Sequence, residues 1–149
     1  MSQAHIARIF GVSRQAVHDM CVRYGIKRET RQELLTEADV WPYKVSRELS
    51  NQYLFQLLRY HAQYMLTQGK GMTKNQLARL RAFHRKLRDE NQVVEYDPDI
   101  PPEPGVSPQG GFAYRKRRKS DRGLIIRVNG HTNITEQGRE IWVFPDQEP

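Results

Sequence analysis

The chain of 149 residues lacks the features that mark several classes of protein. It has one cysteine, Cys21, which excludes a disulfide within the chain and a cysteine-rich zinc cluster. None of its apolar runs approaches the length of a membrane span, and its N-terminal segment has no uninterrupted apolar core of the kind found in signal peptides. We therefore expect a protein that stays inside its cell, in a reducing cytoplasm.

Acidic residues are also scarce relative to basic ones. Lysine and arginine number 24 against 17 aspartates and glutamates, for a net charge of +7, which favours a polyanionic partner such as nucleic acid. Residues 41–92 hold 10 basic and 3 acidic residues, residues 93–111 hold 0 and 4, and residues 112–149 hold 8 and 5. Two basic blocks thus lie beyond the first 40 residues, and a protein with a single DNA-reading module would not need them.

Residues 1–27 have the pattern of a DNA-binding helix-turn-helix. Gly11 suits the left-handed turn that ends a first helix, and Ser13 is a good N-cap for a second. The small side chain of Ala7 allows the two helices to cross closely. The apolar positions expected to face inward at helical spacing are Ile6, Ala7, Phe10, Val12, Ala16, Val17 and Met20. An ordinary helical hairpin with a solvated polar face is the alternative.

In such a motif the second helix enters the major groove by its N-terminal end. Arg14 then suits guanine and Gln15 suits adenine, while Gln3 can hold a phosphate together with the amides at the start of the first helix. His18 is equally well explained as a solvated residue, and Asp19 either accepts from cytosine or holds a neighbouring arginine. The DNA-binding residues expected in this domain are Gln3, Ser13, Arg14, Gln15, His18, Asp19 and Arg23.

Residues 28–40 predict a connecting helix, and residues 41–149 a second DNA-binding domain. The Trp41-Pro42 pair breaks the chain, because proline restricts the residue before it and cannot lie inside a helix. A long helix is then predicted over residues 46–68. Its inward positions are Leu49, Tyr53, Leu57, Tyr60, Tyr64 and Met65. Its polar stripe consists of Gln52, Gln56, Arg59 and Gln63.

A second long helix is predicted over residues 74–90, with Thr73 as its N-cap. Its buried stripe consists of Leu77, Leu80, Phe83 and Leu87. Cations project from the opposite side next to two small residues, an arrangement that suits close approach to a phosphate backbone or groove. These residues are Lys74, Arg81 and Arg85, beside Ala78 and Ala82. A merely solvated face is the alternative.

The rest of the chain predicts a small β component. Residues 92–98 read as a strand, and residues 112–120 and 123–129 as a hairpin that resembles a wing lying along DNA phosphates. Its tip carries the cations Arg115, Lys116, Arg117, Arg118, Lys119 and Arg122, which would repel one another without an anion nearby. A short helix over residues 135–142 brings Ile141 and Trp142 to the core. The predicted fold class is mainly α with a small β component (α+β), winged-helix-like in its C-terminal module.

No set of residues predicts catalysis, a cofactor or a metal. The five histidines show no metal-ligand spacing with acidic partners. Asp97 and Asp99 lie in the proline-rich loop without a nearby lysine, so they do not form a nuclease site. We therefore expect a binding protein rather than an enzyme.

Several segments together resemble the immunity repressors of temperate mycobacteriophages, of the cluster that carries stoperator sites. The segments are HIARIFGVSRQAV, the WP break, LRDENQVVEYDP, GGFAY and LIIRVNGHTNITEQGREIW. The resemblance implies a repressor that sustains lysogeny in the cytoplasm of the bacterial host. It also implies a monomer that binds short asymmetric sites on double-stranded DNA through two DNA-binding domains. Bound there, the protein is expected to halt host RNA polymerase. Longer members have an N-terminal arm and a first helix, which we expect this chain to lack.

Two other readings remain open at the level of the sequence. In the first, the helix-turn-helix binds a palindrome as a homodimer, and residues 41–149 form the dimerisation domain through the tyrosine-rich helix. In the second, the protein is a recombination accessory factor or a nuclease. Sizing in solution and a DNA footprint separate the first from a monomer, and metal-dependent cleavage of DNA would favour the second.

Overall fold

The computed structural model describes residues 39–149. The predicted helix-turn-helix, and the connecting helix up to residue 38, lie outside the described residues. Residues 39–149 form an α+β fold, as predicted. Its helices are α1 (Arg47–Ser50), α2 (Tyr53–Thr67), α3 (Lys74–Asp89) and α4 (Glu136–Ile141), its strands are β1 (Gln92–Tyr96) and β2 (Phe112–Lys116), and a 3-10 turn spans Lys119–Asp121.

The helix predicted over residues 46–68 is in fact two helices, and Gln52 separates them. Its backbone is extended (φ −132°, ψ 153°), and its side chain is only 5% exposed. The amide nitrogen donates to the carbonyls of Leu49 and Gly110, both at 2.9 Å, and the amide oxygen accepts from Gln109 N at 3.0 Å. The prediction of Gln52 on a polar stripe is therefore wrong. Tyr53, which was expected inward, is the first residue of α2 and is 52% exposed, whereas Leu57 and Tyr60 of the same helix are buried as predicted.

Helix α3 agrees with its prediction within one residue. Thr73 Oγ1 accepts from Gln76 N and the Gln76 side chain accepts from Thr73 N, both at 3.1 Å, which satisfies two free amides of the first turn. Leu80 and Leu87 are fully buried, as the apolar spacing predicts. Leu77 is only partly buried.

The strand pairing differs from the predicted hairpin. Strand β2 runs antiparallel to β1, with Tyr114 opposite Val94. Residues 124–127 lie on the other side of β1 instead of pairing with β2, because Val94 N donates to Ile125 O at 2.9 Å and Arg127 N donates to Val94 O at 2.8 Å. The prediction that residues 123–129 pair with 112–120 is thus wrong. β1 is central and receives partners on both edges.

The loop of residues 97–111 makes this pairing possible because it folds back compactly. Gly110 N donates to Ser107 O at 2.8 Å, and Gly111 N donates to Ile100 O at 3.0 Å. Gly110 has a left-handed backbone (φ +82°), and a Cβ there would lie 2.5 Å from Ile100 O. Only glycine fits such a close approach of two backbone segments. The loop therefore delivers Phe112 directly beside the end of β1.

The core of residues 39–149 centres on Trp142, which is fully buried, as predicted. Its indole nitrogen donates to Val40 O at 2.7 Å. The ring of His61 stacks on the indole at 5.2 Å, and His61 Nδ1 lies 2.8 Å from His84 Nε2. Ile141 is partly buried. Within the described range, none of the helices combines the length and the apolar character that a membrane crossing requires.

Candidate nucleic-acid interface

The cations predicted on α3 lie together along one side of the helix, next to exposed Ala78 and Ala82. Two of them contact the C-terminal segment of the chain. Arg81 Nη1 donates to Pro149 O at 3.0 Å, and Arg85 donates through Nε and Nη2 to the carboxylate of Glu148 at 2.7 and 3.1 Å. The hydrogen bond from Arg85 holds the pKa of Glu148 below its usual value. The third predicted cation, Lys74, is exposed.

A second group of cations lies on the other side of Ala78 and Ala82, and sequence reasoning missed it. The Arg79 guanidinium lies 5.9 Å from the centre of the Tyr53 ring, and Lys86 Nζ lies 4.4 Å from the centre of the Tyr114 ring. Lys86 also pairs with Glu90. The spacing of 79, 82 and 86 was a signal for a shared face. Helix α3 therefore presents two small side chains between two rows of cations.

The basic segment of residues 115–119 begins at the end of β2 and continues into a tight turn instead of forming the tip of a hairpin. Lys116, Arg118 and Lys119 are exposed and have no acidic partner within residues 39–149. Arg115 is also exposed, and its Nε pairs with Glu95 Oε1 at 2.9 Å. Of the five consecutive cations predicted at the hairpin tip, residues 115–119, these four are placed toward solvent, and Arg122, the sixth cation of the predicted tip, is also exposed.

Arg117, the fifth of these cations, points inward. Its Nη1 donates to Leu124 O at 2.7 Å and its Nη2 to Gln92 O at 3.3 Å. Its guanidinium also lies 5.5 Å from the centre of the Phe144 ring. The guanidinium of Arg88, at the end of α3, lies 4.9 Å from the same ring. Phe144 thus joins the C-terminal end of α3 to the basic turn, and Arg117 has a structural role there.

Asp121 holds the turn in shape. Its side chain is nearly buried, and its carboxylate accepts from Arg118 N at 2.7 Å and from Arg127 Nε and Nη2 at 3.2 and 3.0 Å. Burial alone would raise the pKa of this carboxyl, but the hydrogen bonds from Arg127 and Arg118 N bring it below its usual value. Arg127 Nη2 also donates to Lys116 O at 2.7 Å. The turn is therefore cross-linked to the end of β2 by a charge-assisted network.

Among the described residues, the buried histidines are not part of a metal site. His61 and His84 contact each other, but residues 39–149 contain no group of three histidine, cysteine, aspartate or glutamate side chains that is arranged to hold an ion. The DNA-binding residues predicted in the helix-turn-helix lie outside the described residues and stay predictions. They are Gln3, Ser13, Arg14, Gln15, His18, Asp19 and Arg23.

Comparison with known proteins agrees with the resemblance drawn from the sequence. No family model matches the chain. The chain is 38% identical over 146 residues to the repressor-like immunity protein of Mycobacterium phage L5, and the match covers 97% of this chain and 78% of that protein. The similarity therefore includes both residues 39–149 and most of the segment before them. The chain belongs to the family of mycobacteriophage immunity repressors.

Proposed function

We propose that the protein is a sequence-specific DNA-binding repressor that maintains phage lysogeny and superinfection immunity. It binds asymmetric operator and stoperator sites as a monomer, through a helix-turn-helix in residues 1–27 and a second surface in residues 41–149. The name of the phage L5 relative supports the repressor role. The observation that carries the second DNA-binding surface is helix α3, with small exposed residues between two rows of cations.

The shape of α3 suits the major groove. This groove is about 12 Å wide and admits an α-helix, and short side chains allow the helix backbone to approach the base edges. Ala78 and Ala82 supply short side chains at the centre of the exposed face. Asp89 lies at the C-terminal end of the same face and would repel phosphates. The contact with DNA is therefore expected along α3 from Lys74 to Lys86, before Asp89.

The two rows of cations then reach phosphates on both sides of the groove. Lys74 and Arg85 lie on one side of the alanines, and Arg79 and Lys86 on the other. The ion pair between Arg85 and Glu148 is exposed, and exposed pairs contribute little stability. A DNA phosphate can therefore replace Glu148 as the partner of Arg85. The exposed cations Lys116, Arg118 and Lys119 add further positive charge to residues 41–149 for contacts with phosphates.

Two surfaces on one chain explain how a monomer reads an asymmetric site. The helix-turn-helix reads bases through Arg14 and Gln15, and residues 41–149 add phosphate contacts that a symmetry mate supplies in dimeric repressors. Protein held at two places on the duplex then obstructs host RNA polymerase. The alternative of dimerisation through the tyrosine-rich helix has less support. Within residues 39–149 the exposed large hydrophobic residues are only Tyr53 and Val128, so α2 lacks a broad apolar face.

The test compares two double variants of the full chain. Lys74→Gln with Arg85→Gln removes one cation pair beside the alanines, and Arg47→Gln with Lys70→Gln removes the same charge from exposed residues elsewhere. We expect the first variant to bind duplex DNA about tenfold more weakly than the second. The slope of log affinity against log salt concentration should also fall in magnitude by about 1 to 2, because fewer counterions are released when fewer phosphates are contacted. Equal affinities for the two variants would refute the role of α3. Sizing of the complex distinguishes one copy per site from two.

A further inference from the structure

Four arginines meet in an open cleft between the basic turn and helix α4. The cleft has a volume of about 380 Å³. We call it the arginine cleft, and its lining residues are Arg118, Ser120, Asp121, Arg122, Leu124, Arg127, Val128 and Arg139. Arg139 belongs to none of the predicted DNA-binding sets, because it is separated from the basic run of residues 115–119 by a stretch of mixed sequence.

Both walls of the arginine cleft are firmly placed. On the turn side, Asp121 binds Arg127 and the backbone of Arg118, and Arg122 takes a left-handed backbone (φ 50°) that reverses the chain. On the other side, Thr135 caps α4 by accepting from Gly138 N at 2.9 Å. Ile125 N donates to Trp142 O at 2.8 Å and ties the end of α4 to the segment that follows the turn. The arginines are therefore held near one another by the fold.

The lining has an excess of positive charge. The one carboxylate, Asp121, is already paired with Arg127. Within residues 39–149 the guanidiniums of Arg122 and Arg139 have neither a hydrogen bond nor an ion pair, and Arg118 has no acidic partner. Four arginines and one aspartate leave a net charge of +3 on the lining. Like charges collected in this way favour an anion between them.

We propose that the arginine cleft binds phosphate groups of the DNA backbone, an inference that rests on the proposed function. A guanidinium group can donate two parallel hydrogen bonds to the oxygens of one phosphate. The guanidiniums of Arg118, Arg122 and Arg139, which have no acidic partner within residues 39–149, are therefore suited to bind a phosphodiester. Small-molecule sites are mostly apolar and enclose their ligand, whereas this cleft is open and its lining is mostly charged. The exposed apolar side chain of Val128 can pack against a deoxyribose. The sugar-phosphate backbone of DNA can therefore pass through the arginine cleft. DNA that contacts the basic turn would then contact α4 as well.

The test uses the full chain with Arg122→Gln and Arg139→Gln, against the matched control Arg47→Gln with Lys70→Gln. Neither control residue lines the cleft, and all four residues are exposed, so folding is expected to be intact in both variants. The probe is a fluorescent DNA duplex of mixed sequence, titrated at several salt concentrations. We expect the cleft variant to bind about tenfold more weakly than the control and to lower the salt slope by about 1 to 2.

The outcomes separate the cleft from the proposed function. If the wild type binds the duplex and the cleft variant binds as tightly as the control, the cleft assignment is wrong and the proposed function stands. If the wild type binds no duplex, both are wrong. Thermal unfolding with pyrophosphate gives a second arm. Stabilisation of the wild type but not of the cleft variant, with equal duplex affinities, would assign the cleft to a free phosphate compound and overturn the DNA assignment.

Discussion

The buried pair of His61 and His84 predicts a loss of stability in mild acid. The carbonyl of Ile141 can only accept, so His61 Nε2, at 2.7 Å, carries a proton and His61 Nδ1 accepts from His84 Nε2. His84 Nδ1 is then buried without a partner. A proton added there would have no acceptor and would lie near Arg88. Burial lowers the pKa of His61 to about 4, and burial, together with the nearby His61 and Arg88, lowers the pKa of His84 to about 3.

The direction follows from which state binds more protons. In the unfolded chain both histidines take up a proton as the pH falls through 6.5, whereas in the folded chain they stay neutral until the pH approaches their lowered pKa values. The free energy of unfolding therefore has the full contribution of the two neutral histidines above pH 6.5 and loses it as the pH falls below that value. Between pH 7 and pH 5 each histidine lowers the free energy of unfolding by about 2 kcal/mol, or about 4 kcal/mol for the pair. Carboxylates titrate mainly below this window.

Urea unfolding followed by tryptophan fluorescence measures the effect on this part of the chain, because both tryptophans, Trp41 and Trp142, lie within residues 39–149. We expect the double variant His61→Gln with His84→Gln to lose most of the dependence between pH 7 and pH 5. His131→Gln is the control, because His131 is exposed, and it should keep the dependence. A wild type whose free energy of unfolding stays constant from pH 7 to pH 5 would refute the assignment of a buried neutral pair.

Three further predictions concern single positions. Gly110→Ala should lower the free energy of unfolding in urea by about 3 kcal/mol, because the added Cβ clashes with Ile100 O and the backbone is left-handed. Gly105→Ala is the control, because Gly105 has the same φ of +82° but open space around it, and it should lose only about 1 kcal/mol. Equal losses would contradict the close approach of Gly110 to Ile100. Glu148→Gln should strengthen binding to mixed-sequence DNA about twofold, because it frees Arg85. The control is Glu140→Gln, which removes the same charge from an exposed residue that has no ion pair within the described range, and it should strengthen binding less. An equal gain in both variants would mean that only the net charge matters. Arg14→Ala should lose about 1–3 kcal/mol of binding energy on the cognate site and much less on unrelated DNA, and similar losses on both would exclude base reading by Arg14.

Features that depend on neighbours along the chain were predictable from the sequence. Helix α3 has a cap at Thr73 and apolar residues at helical spacing, and its bounds agree with the prediction. Strand β1 and the burial of Trp142 were likewise expected. The family also followed from the sequence, because a resemblance spread over most of the chain does not depend on any one contact. The excess of basic over acidic residues in residues 41–149 was also evident from the sequence, but not which of these cations are exposed.

The tertiary structure decided which contacts each of these elements makes. Gln52 ends a helix because its amide binds a loop 58 residues later in the chain, and β2 pairs with β1 because that loop folds back at Gly110. Arg117 points inward to a backbone carbonyl, and Arg139 joins the arginine cleft from another element. A local pattern of residue types records how apolar and charged a segment is, but not which distant hydrogen-bonding group will meet each side chain. For this protein the sequence therefore determined that residues 41–149 are basic, and only the fold determined which of their cations lack an acidic partner.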